Sequence, residues 1–395
     1  MAIVIRNLET QDVAEGFDVS ALVRLDGGEK RIRFSRFGDH PALRDRSDTF
    51  DAFAVAMLLP AMLRGEPLVV EGSVEETLLD SLQGPVQDVI RLLDPAWRRV
   101  SVEADGRAER PRTDEPRGAG AGMSGGIDSM HLVRHRLLAD DVPDPLRIRI
   151  FLHHHVGAHG DDDHVFAEQV AHSRRVAERL GLPLVGSRCI LTEAYRGMPF
   201  THCHTLRNVA ATMTLDHLFD LVHYASSEEV GRSPRRTRFS GISALDSQIL
   251  PLFDTPGVRW RSFGGAATRL QKTREVIADD RLCGDLLVCM RGFRNDRRAL
   301  NCGRCYKCAR LLLHAEAVGR LDAVSPTVDM DAWRAGRSYA IGRLLWLAIG
   351  PRRTANESDL VAFLHASGFS FPWWARPAVA AARLVRGRAH SLLDR

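Results

Sequence analysis

The chain has 395 residues, of which 45% are hydrophobic and 26% are charged, so it is long enough for a buried core and for two or three domains. Its formal net charge of +4 is small for this length and gives no compositional case for nucleic acid, although small anionic ligands stay compatible. The first residues lack the pattern of a signal peptide, and the apolar run 344–350 is far shorter than the roughly 20 residues that span a membrane. We therefore expect a cytoplasmic protein without a membrane segment, whose seven cysteines are thiols or metal ligands rather than disulfides.

The first 108 residues have the pattern of a small separate α+β domain for recognition or for formation of a homodimer. Segments rich in β-formers predict strands at Ala2–Leu8, Phe17–Leu25, Lys30–Phe37, 68–71 and 98–102. Apolar residues at helical spacing predict helices at Phe50–Leu63 and Val74–Leu93, the second opened by a capping box at Ser73. The charged, proline-containing stretch 104–117 predicts a linker, which we place at 109–117.

The next segment is rich in glycine and has the composition of an anion-binding turn. A run of small residues, 118–123, ends at Met123 and leads into Ser124-Gly125-Gly126-Ile127-Asp128-Ser129. Two glycines let backbone N–H groups approach an oxyanion, and the helix predicted to follow would direct its positive end at the same group. Asp128 would then be an oxygen ligand for Mg²⁺, with hydroxyls from Ser124 and Ser129.

Other glycine-rich motifs fit this segment less well. A Walker A loop is excluded because its lysine is missing after Gly126. A dinucleotide-binding G-x-G-x-x-G at Gly120, Gly122 and Gly125 stays open, although the polar segment before it is a poor first strand. An ordinary turn capped by Ser124 stays open as well.

The six residues 124–129 resemble the S-G-G-x-D-S signature of the PP-loop ATP pyrophosphatase superfamily. The resemblance implies a Rossmann-like parallel sheet of five strands, of the adenine nucleotide alpha hydrolase type, with helices on both faces. It also implies that ATP is cleaved between the α and β phosphates, that pyrophosphate stays in the loop, and that an adenylylated oxygen of the substrate is displaced by a nucleophile. Residues 123–126, 128 and 129 would hold the nucleotide.

The following segments alternate between strand and helix, which favours a parallel sheet with ligands at the carboxyl ends of its strands. A strand is expected at 146–152, a helix at Val165–Leu180 and a further strand from Pro183. The histidines 153–155 fall at a strand end, where His153 and His155 would point to one side and His154 to the other. We favour a nucleotide or substrate contact for His153 and leave metal binding or a plain surface loop open.

Two further segments supply candidate cations. Arg207 and Asn208 precede a helix expected at Val209–Leu221, which leads into a strand at Leu221–Ala225, so they are either ligand contacts or helix caps. Arg269 and Lys272 are spaced i, i+3 on another predicted helix and can reach one anion, unless they form a solvated face. Lys272 and Arg207 are the candidate catalytic phosphate clamps beside Asp128.

Four cysteines have the spacing of a metal site: Cys289, Cys302, Cys305 and Cys308. Four thiolates suit one tetrahedral Zn²⁺ in a closed structural site, and an iron–sulfur cluster is the alternative. The order of the loop, the Arg207-Asn208 pair, the Lys272 helix and the cysteines is similar to that in 7-cyano-7-deazaguanine synthases. The resemblance covers about residues 118–315, within a domain that we place at 118–320, and implies a structural zinc, ATP, Mg²⁺ and ammonia.

From these observations we expect an ATP-dependent ligase that adenylylates a carboxylate or carbonyl oxygen of a small-molecule acid and then admits ammonia or another amine. Sulfur transfer by Cys203 or Cys189, for example to a tRNA base, is the rival within the superfamily, and a non-catalytic nucleotide-binding zinc protein is the rival outside it. Residues 321–395 are expected to be a helical extension whose late arginines are either an exposed basic face or an RNA contact.

Overall fold

The computed structural model describes residues 1–13, 16–45, 48–109, 116–158, 162–229, 239, 241–289, 299–350 and 355–381. The chain folds into two compact units. The first contains Met1–Ser124 and His135–Ala266, and the second contains Gly125–Arg134 and Ala267–Arg395. The domain boundaries expected at residues 108, 117 and 320 stay predictions, and most of the expected linker, 110–115, lies outside the described residues.

The first unit contains a mixed sheet of ten strands among the described residues. In chain order the strands are β1 (Ile3–Val13), β2 (Gly16–Leu25), β3 (Gly28–Gly38), β4 (Leu68–Glu75), β5 (Val102–Ala108), β6 (Ala119–Gly122), β7 (Ile148–His155), β8 (Leu184–Arg188), β9 (Leu221–Ala225) and β10 (Arg259–Phe263). Their order across the sheet is β10-β9-β6-β7-β8-β3-β2-β1-β4-β5.

The expectation of a five-stranded sheet is wrong, because the five parallel strands β10, β9, β6, β7 and β8 are only half of the sheet. Strand β3 pairs antiparallel with β8, from Ser35 opposite Arg188 to Gly38 opposite Val185. Strands β1 to β3 then continue antiparallel, and β4 and β5 are parallel to β1. The N-terminal strands therefore extend the same sheet instead of forming one of their own.

Strand β6 consists only of alanine and glycine, and at Gly120 its neighbours lie very close. A Cβ atom at Gly120 would be 3.0 Å from the Phe219 ring and 3.3 Å from the Leu152 side chain. This short run of small residues is nevertheless a strand, with β7 and β9 on its two sides, and it ends just before Met123.

The helices of the first unit follow the apolar pattern with corrected ends. They are α1 (Asp51–Arg64), α2 (Glu76–Gln83), α3 (Pro85–Leu93), α5 (Asp163–Arg179), α6 (Phe200–Met213) and α7 (Asp246–Ile249). The single helix expected at Val74–Leu93 is wrong, because Gly84 and Pro85 divide it. Ser73 does not cap it, since β4 continues to Glu75, whose own carboxylate accepts a hydrogen bond from Leu78 N.

Two other boundaries also differ from expectation. Helix α6 begins at Phe200 rather than at Val209, so Arg207 and Asn208 lie inside it and do not cap it. Its buried face includes Cys203, Thr205 and Leu206. A threonine is a weaker helix former than a leucine, so the sequence did not indicate a helix over this part. Strand β5 reaches Ala108 and thus occupies the beginning of the charged stretch.

The second unit is helical. Its helices are α8 (Arg269–Ala278), α9 (Tyr306–Ala317), α10 (Leu321–Val324), α11 (Met330–Ile349) and α12 (Ala355–Ala366), together with the first eight residues of α4 (Ile127–Arg136). The helical nature of the segment after residue 320 is confirmed over its described part, whereas Arg383, Arg386, Arg388 and Arg395 lie outside it. Within the described residues, every helix is too short or too polar to cross a bilayer.

Candidate functional site

The glycine-rich loop forms a tight turn into α4. Gly125 has φ of 72°, a left-handed conformation that strains other residues, and its carbonyl accepts a hydrogen bond from Leu287 N at 2.8 Å. Gly126 O accepts from Met130 N at 3.0 Å and from the Ser129 hydroxyl at 3.0 Å. Asp128 is thereby placed in the first turn of α4, as the motif predicts.

Two cations of α8 converge on the Asp128 carboxylate. Arg269 Nη1 lies 2.7 Å from one carboxylate oxygen, and Lys272 Nζ lies 3.3 Å from the other. The Lys272 side chain is only 2% exposed, which is unusual for an ammonium group and requires a nearby charge. A capping box between Thr268 and Gln271 fixes the start of α8, so the two cations share one face and meet one anion.

A third cation adds positive charge to this cluster. Burial, and next the charge of Arg269, lower the pKa of Arg310 to about 10, while the Asp128 carboxylate acts in the opposite direction. Arg310 stays protonated at neutral pH, and its Nη1 lies 3.4 Å from the buried Glu357 carboxylate. One partly exposed carboxylate, Asp128, is therefore surrounded by more positive than negative charge.

The four cysteines Cys289, Cys302, Cys305 and Cys308 form one cluster that can hold a metal ion, because their Sγ atoms all lie within 4.8 Å of one another. Cys305 Sγ lies 3.4 Å from Cys308 Sγ and 3.7 Å from Cys289 Sγ. Hydrogen bonds from Cys289 and Cys305 hold the pKa of the Cys302 thiol far below its usual range. The same contacts raise the pKa of the Cys305 and Cys308 thiols, so a bound metal ion would have to displace protons from these two residues.

Asn301 connects the cysteine cluster to the loop, and the sequence offered no signal for it. Its side chain is fully buried, and its oxygen accepts hydrogen bonds from Val288 N at 2.9 Å and Cys289 N at 3.1 Å. Its nitrogen donates to Leu286 O at 2.7 Å and to Thr327. Because Leu287 N binds Gly125 O, the segment 286–289 fixed by Asn301 supports the loop and carries one of the cysteines.

His153 lies in the first unit, beside the residue that precedes the motif. Its Nδ1 is 2.9 Å from Met123 O and 2.8 Å from Ser173 Oγ, so it positions the backbone that leads into Ser124. His153 and His155 both pack against the Phe166 ring, whereas His154 bonds Thr212. The expected alternation of the three side chains is confirmed. Burial lowers the pKa of His154 to about 3, so its ring is neutral.

A buried polar cluster lies beside the C-terminal end of β9. Thr205 Oγ1 donates to Asp246 at 2.8 Å, and Asn208 Nδ2 donates to the Tyr224 hydroxyl at 3.2 Å. Desolvation raises the pKa of Asp246 to about 8, so this carboxyl group is largely protonated at neutral pH. The sequence pointed to Asn208 but not to Asp246, whose burial depends on tertiary packing.

The predicted site residues thus fall into two groups. Met123, Ser124, His153 and Arg207 belong to the first unit, and the second contains Gly125, Gly126, Asp128, Ser129, Lys272 and the four cysteines.

Comparisons of the chain with protein-family models, with curated proteins and with solved structures find no match.

Proposed function

We propose that this protein is an ATP-dependent ligase that forms a carbon–nitrogen bond by way of an adenylate, releasing pyrophosphate and AMP. The observation that carries the proposal is the placement of Asp128. It follows a glycine turn with positive φ, stands in the first turn of a helix, and faces Arg269 and the buried Lys272. A carboxylate for a divalent cation beside two cations for phosphate oxygens is what cleavage between the α and β phosphates requires.

The proposed reaction has two displacements. A carboxylate oxygen of the acid attacks the α phosphorus of ATP, an O–P bond forms, and the bond to the bridging oxygen breaks so that pyrophosphate leaves. Ammonia then attacks the acyl carbon, AMP leaves with the electron pair of the C–O bond, and the nitrogen loses a proton. Lys272 and Arg269 would offset the charge on the departing pyrophosphate, and Mg²⁺ held at Asp128 would add Lewis acidity.

We propose that the cysteine cluster holds one structural Zn²⁺. Four thiolates about 2.3 Å from a tetrahedral zinc stand about 3.8 Å from one another, close to the 3.7 Å between Cys289 and Cys305. A cluster of several irons, in which cysteines ligate different metals, would need wider spacing than the 4.8 Å limit found here. All four positions of the ion would be taken by protein, so its role would be to support the fold.

Sulfur transfer has weaker support than amide formation. Cys203 and Cys189 are both almost fully buried, and burial raises the pKa of each thiol. A sulfur carrier needs an accessible thiolate, which these surroundings disfavour. Replacing Cys203 by serine should accordingly spare the activity.

The test is product analysis with ATP labelled at the α phosphate, Mg²⁺, ammonium and a panel of small carboxylic acids that includes 7-carboxy-7-deazaguanine. We expect AMP to appear with one acid and to fall by about 100-fold or more in Asp128→Asn, because that variant cannot offset the developing charge. Asp331→Asn is the matched control, since Asp331 also stands in the first turn of a helix of the second unit but is 78% exposed.

Formation of ADP instead of AMP would overturn the proposal, and so would equal activity in the two aspartate variants. Absence of AMP with every acid, while ATP still binds, would favour the non-catalytic alternative.

A further inference from the structure

The guanidinium of Arg207 is buried with one of its edges lacking hydrogen bonds. Arg207 is 5% exposed, and the Cys203 thiol is hydrogen-bonded to its side chain, but among the described residues its Nε and Nη2 atoms have no hydrogen-bond partner. These two nitrogens form one edge of the planar guanidinium, the edge that grips a carboxylate with two parallel N–H bonds. Burying a charged group in this way costs several kcal/mol unless an anion compensates it.

The surroundings of Arg207 hold this group in place. The Tyr195 ring centroid lies 5.0 Å from the guanidinium carbon and the Phe200 centroid 5.4 Å from it, so aromatic faces flank the cation. Gly157 provides room for the guanidinium, because a Cβ atom there would lie 2.6 Å from Nη2. Gly157 also has φ of 93°, a second reason why only glycine suits this position.

Arg207 is associated with different strands from the phosphate loop. Gly157 follows β7, and the nearby Cys189 follows β8, whereas Met123 and Ser124 follow β6. Since adjacent strands are about 4.8 Å apart, these strand ends lie roughly 5 to 10 Å along the sheet edge from the end of β6. Within the first unit, Arg207 is therefore set apart from Met123 and Ser124, which favours a ligand group other than a phosphate bound beside Ser124.

We propose that Arg207 binds the carboxylate of the acceptor acid through its Nε–Nη2 edge, and that the missing side chain of Gly157 leaves room for the guanidinium in this position. This inference rests on the proposed function and specifies its substrate class as a carboxylic acid. The aromatic faces of Tyr195 and Phe200 favour a flat, weakly hydrated group over a polyphosphate with its metal ion. The role assigned to Arg207 is therefore different from that of a phosphate clamp.

The test measures binding rather than turnover, in the full-length protein. The probes are 4-fluorobenzoate, followed by fluorine NMR, and magnesium pyrophosphate, followed by calorimetry. We expect Arg207→Lys to weaken fluorobenzoate binding at least tenfold and to leave pyrophosphate binding unchanged, because lysine keeps the charge and loses the two-pronged edge. Arg261→Lys, at an exposed arginine of the same unit, should change neither.

Gly157→Ala provides a second variant, in which the arginine is kept and its position is obstructed. It should weaken fluorobenzoate binding in the same way. Absence of fluorobenzoate binding to the natural protein would overturn the inference, and so would a loss of pyrophosphate binding in Arg207→Lys, which would identify a phosphate clamp. If AMP forms in the labelled-ATP assay but the affinity for fluorobenzoate is the same in both variants as in the natural protein, this inference fails alone. If fluorobenzoate binding behaves as expected but no acid yields AMP, the proposed function fails alone.

Discussion

Replacement of Asn301 by alanine tests whether the cysteine cluster and the loop are held by one buried amide. The amide uses four hydrogen-bonding positions: its oxygen accepts from the N–H groups of Val288 and Cys289, and its two N–H bonds are shared among Leu286 O and the carbonyl and hydroxyl of Thr327. At about 1 kcal/mol for each net hydrogen bond, the free energy of unfolding should fall by about 4 kcal/mol. Removing such an outer partner of a ligand should also weaken metal binding 10- to 100-fold, roughly the range seen for outer-shell residues in other metal sites.

Gln87 provides the matched control for this experiment. It is also a fully buried amide, which donates to Leu82 O and Val100 O and accepts from Val100 N, but it lies in the first unit. Gln87→Ala should cost about 3 kcal/mol on the same basis and leave metal binding unchanged. Urea unfolding gives the stabilities, and competition with a chromogenic chelator gives the metal affinities. Equal metal affinity in the two alanine variants would refute the proposed link.

Two further predictions concern the metal and the effect of pH. Extraction with a strong chelator should release one zinc ion per chain and lower the melting temperature. The Cys302→Ser variant should purify with little metal, which elemental analysis can check. A chain that is equally stable without metal would argue against a structural site. Burial raises the pKa of Asp246 from 3.8 to about 8. Between these pH values the folded state holds a proton that the unfolded state has lost, so the free energy of unfolding falls as pH rises through this window. In Asp246→Asn the loss of stability between pH 5 and pH 8, measured by urea unfolding, should be smaller, and an unchanged slope would contradict the assignment.

Strands β7, β8 and β9 of the parallel half could be predicted from the sequence because their apolar segments alternate with helical ones, whereas no strand was predicted at Arg259–Phe263. The pairing of β3 with β8 could not be predicted, since residues 28–38 and 184–188 are far apart in the chain and each segment has an ordinary strand pattern. Only Gly38 and Gly186 hint at it. A side chain at either position would collide with the opposing strand, and this requirement appears only after the strands are paired.

The same distinction applies to the candidate site. The clustering of the four cysteines and the position of Asp128 at the start of a helix could be predicted because both follow from short-range spacing in the sequence, whereas the roles of Asp128 and Lys272 stay predictions. The start of α6 was misplaced because Cys203 and Thr205 count as polar or loop-forming, whereas tertiary contacts bury them. Asn301 and Asp246 gave no local signal, since each acquires its role only through partners distant in sequence, such as Leu286 for the first and Thr205 for the second.

The hydrogen bond from Leu287 N to Gly125 O suggests what a metal ion at the cysteine cluster would do for the loop that we propose to bind pyrophosphate. The loop contains two adjacent glycines, which carry a large conformational entropy in the unfolded chain and impose little order on their own. A binding loop for pyrophosphate must nevertheless be ordered before the ligand arrives, because any ordering that the ligand has to induce is subtracted from its binding energy. A metal ion bound by Cys289, two residues after Leu287, would restrain the segment that holds Gly125, and Asn301 would restrain it from the other side. If the loop binds pyrophosphate as we propose, a metal ion at the cysteine cluster would contribute to catalysis without touching the nucleotide, because it would reduce the motion of this glycine-containing loop.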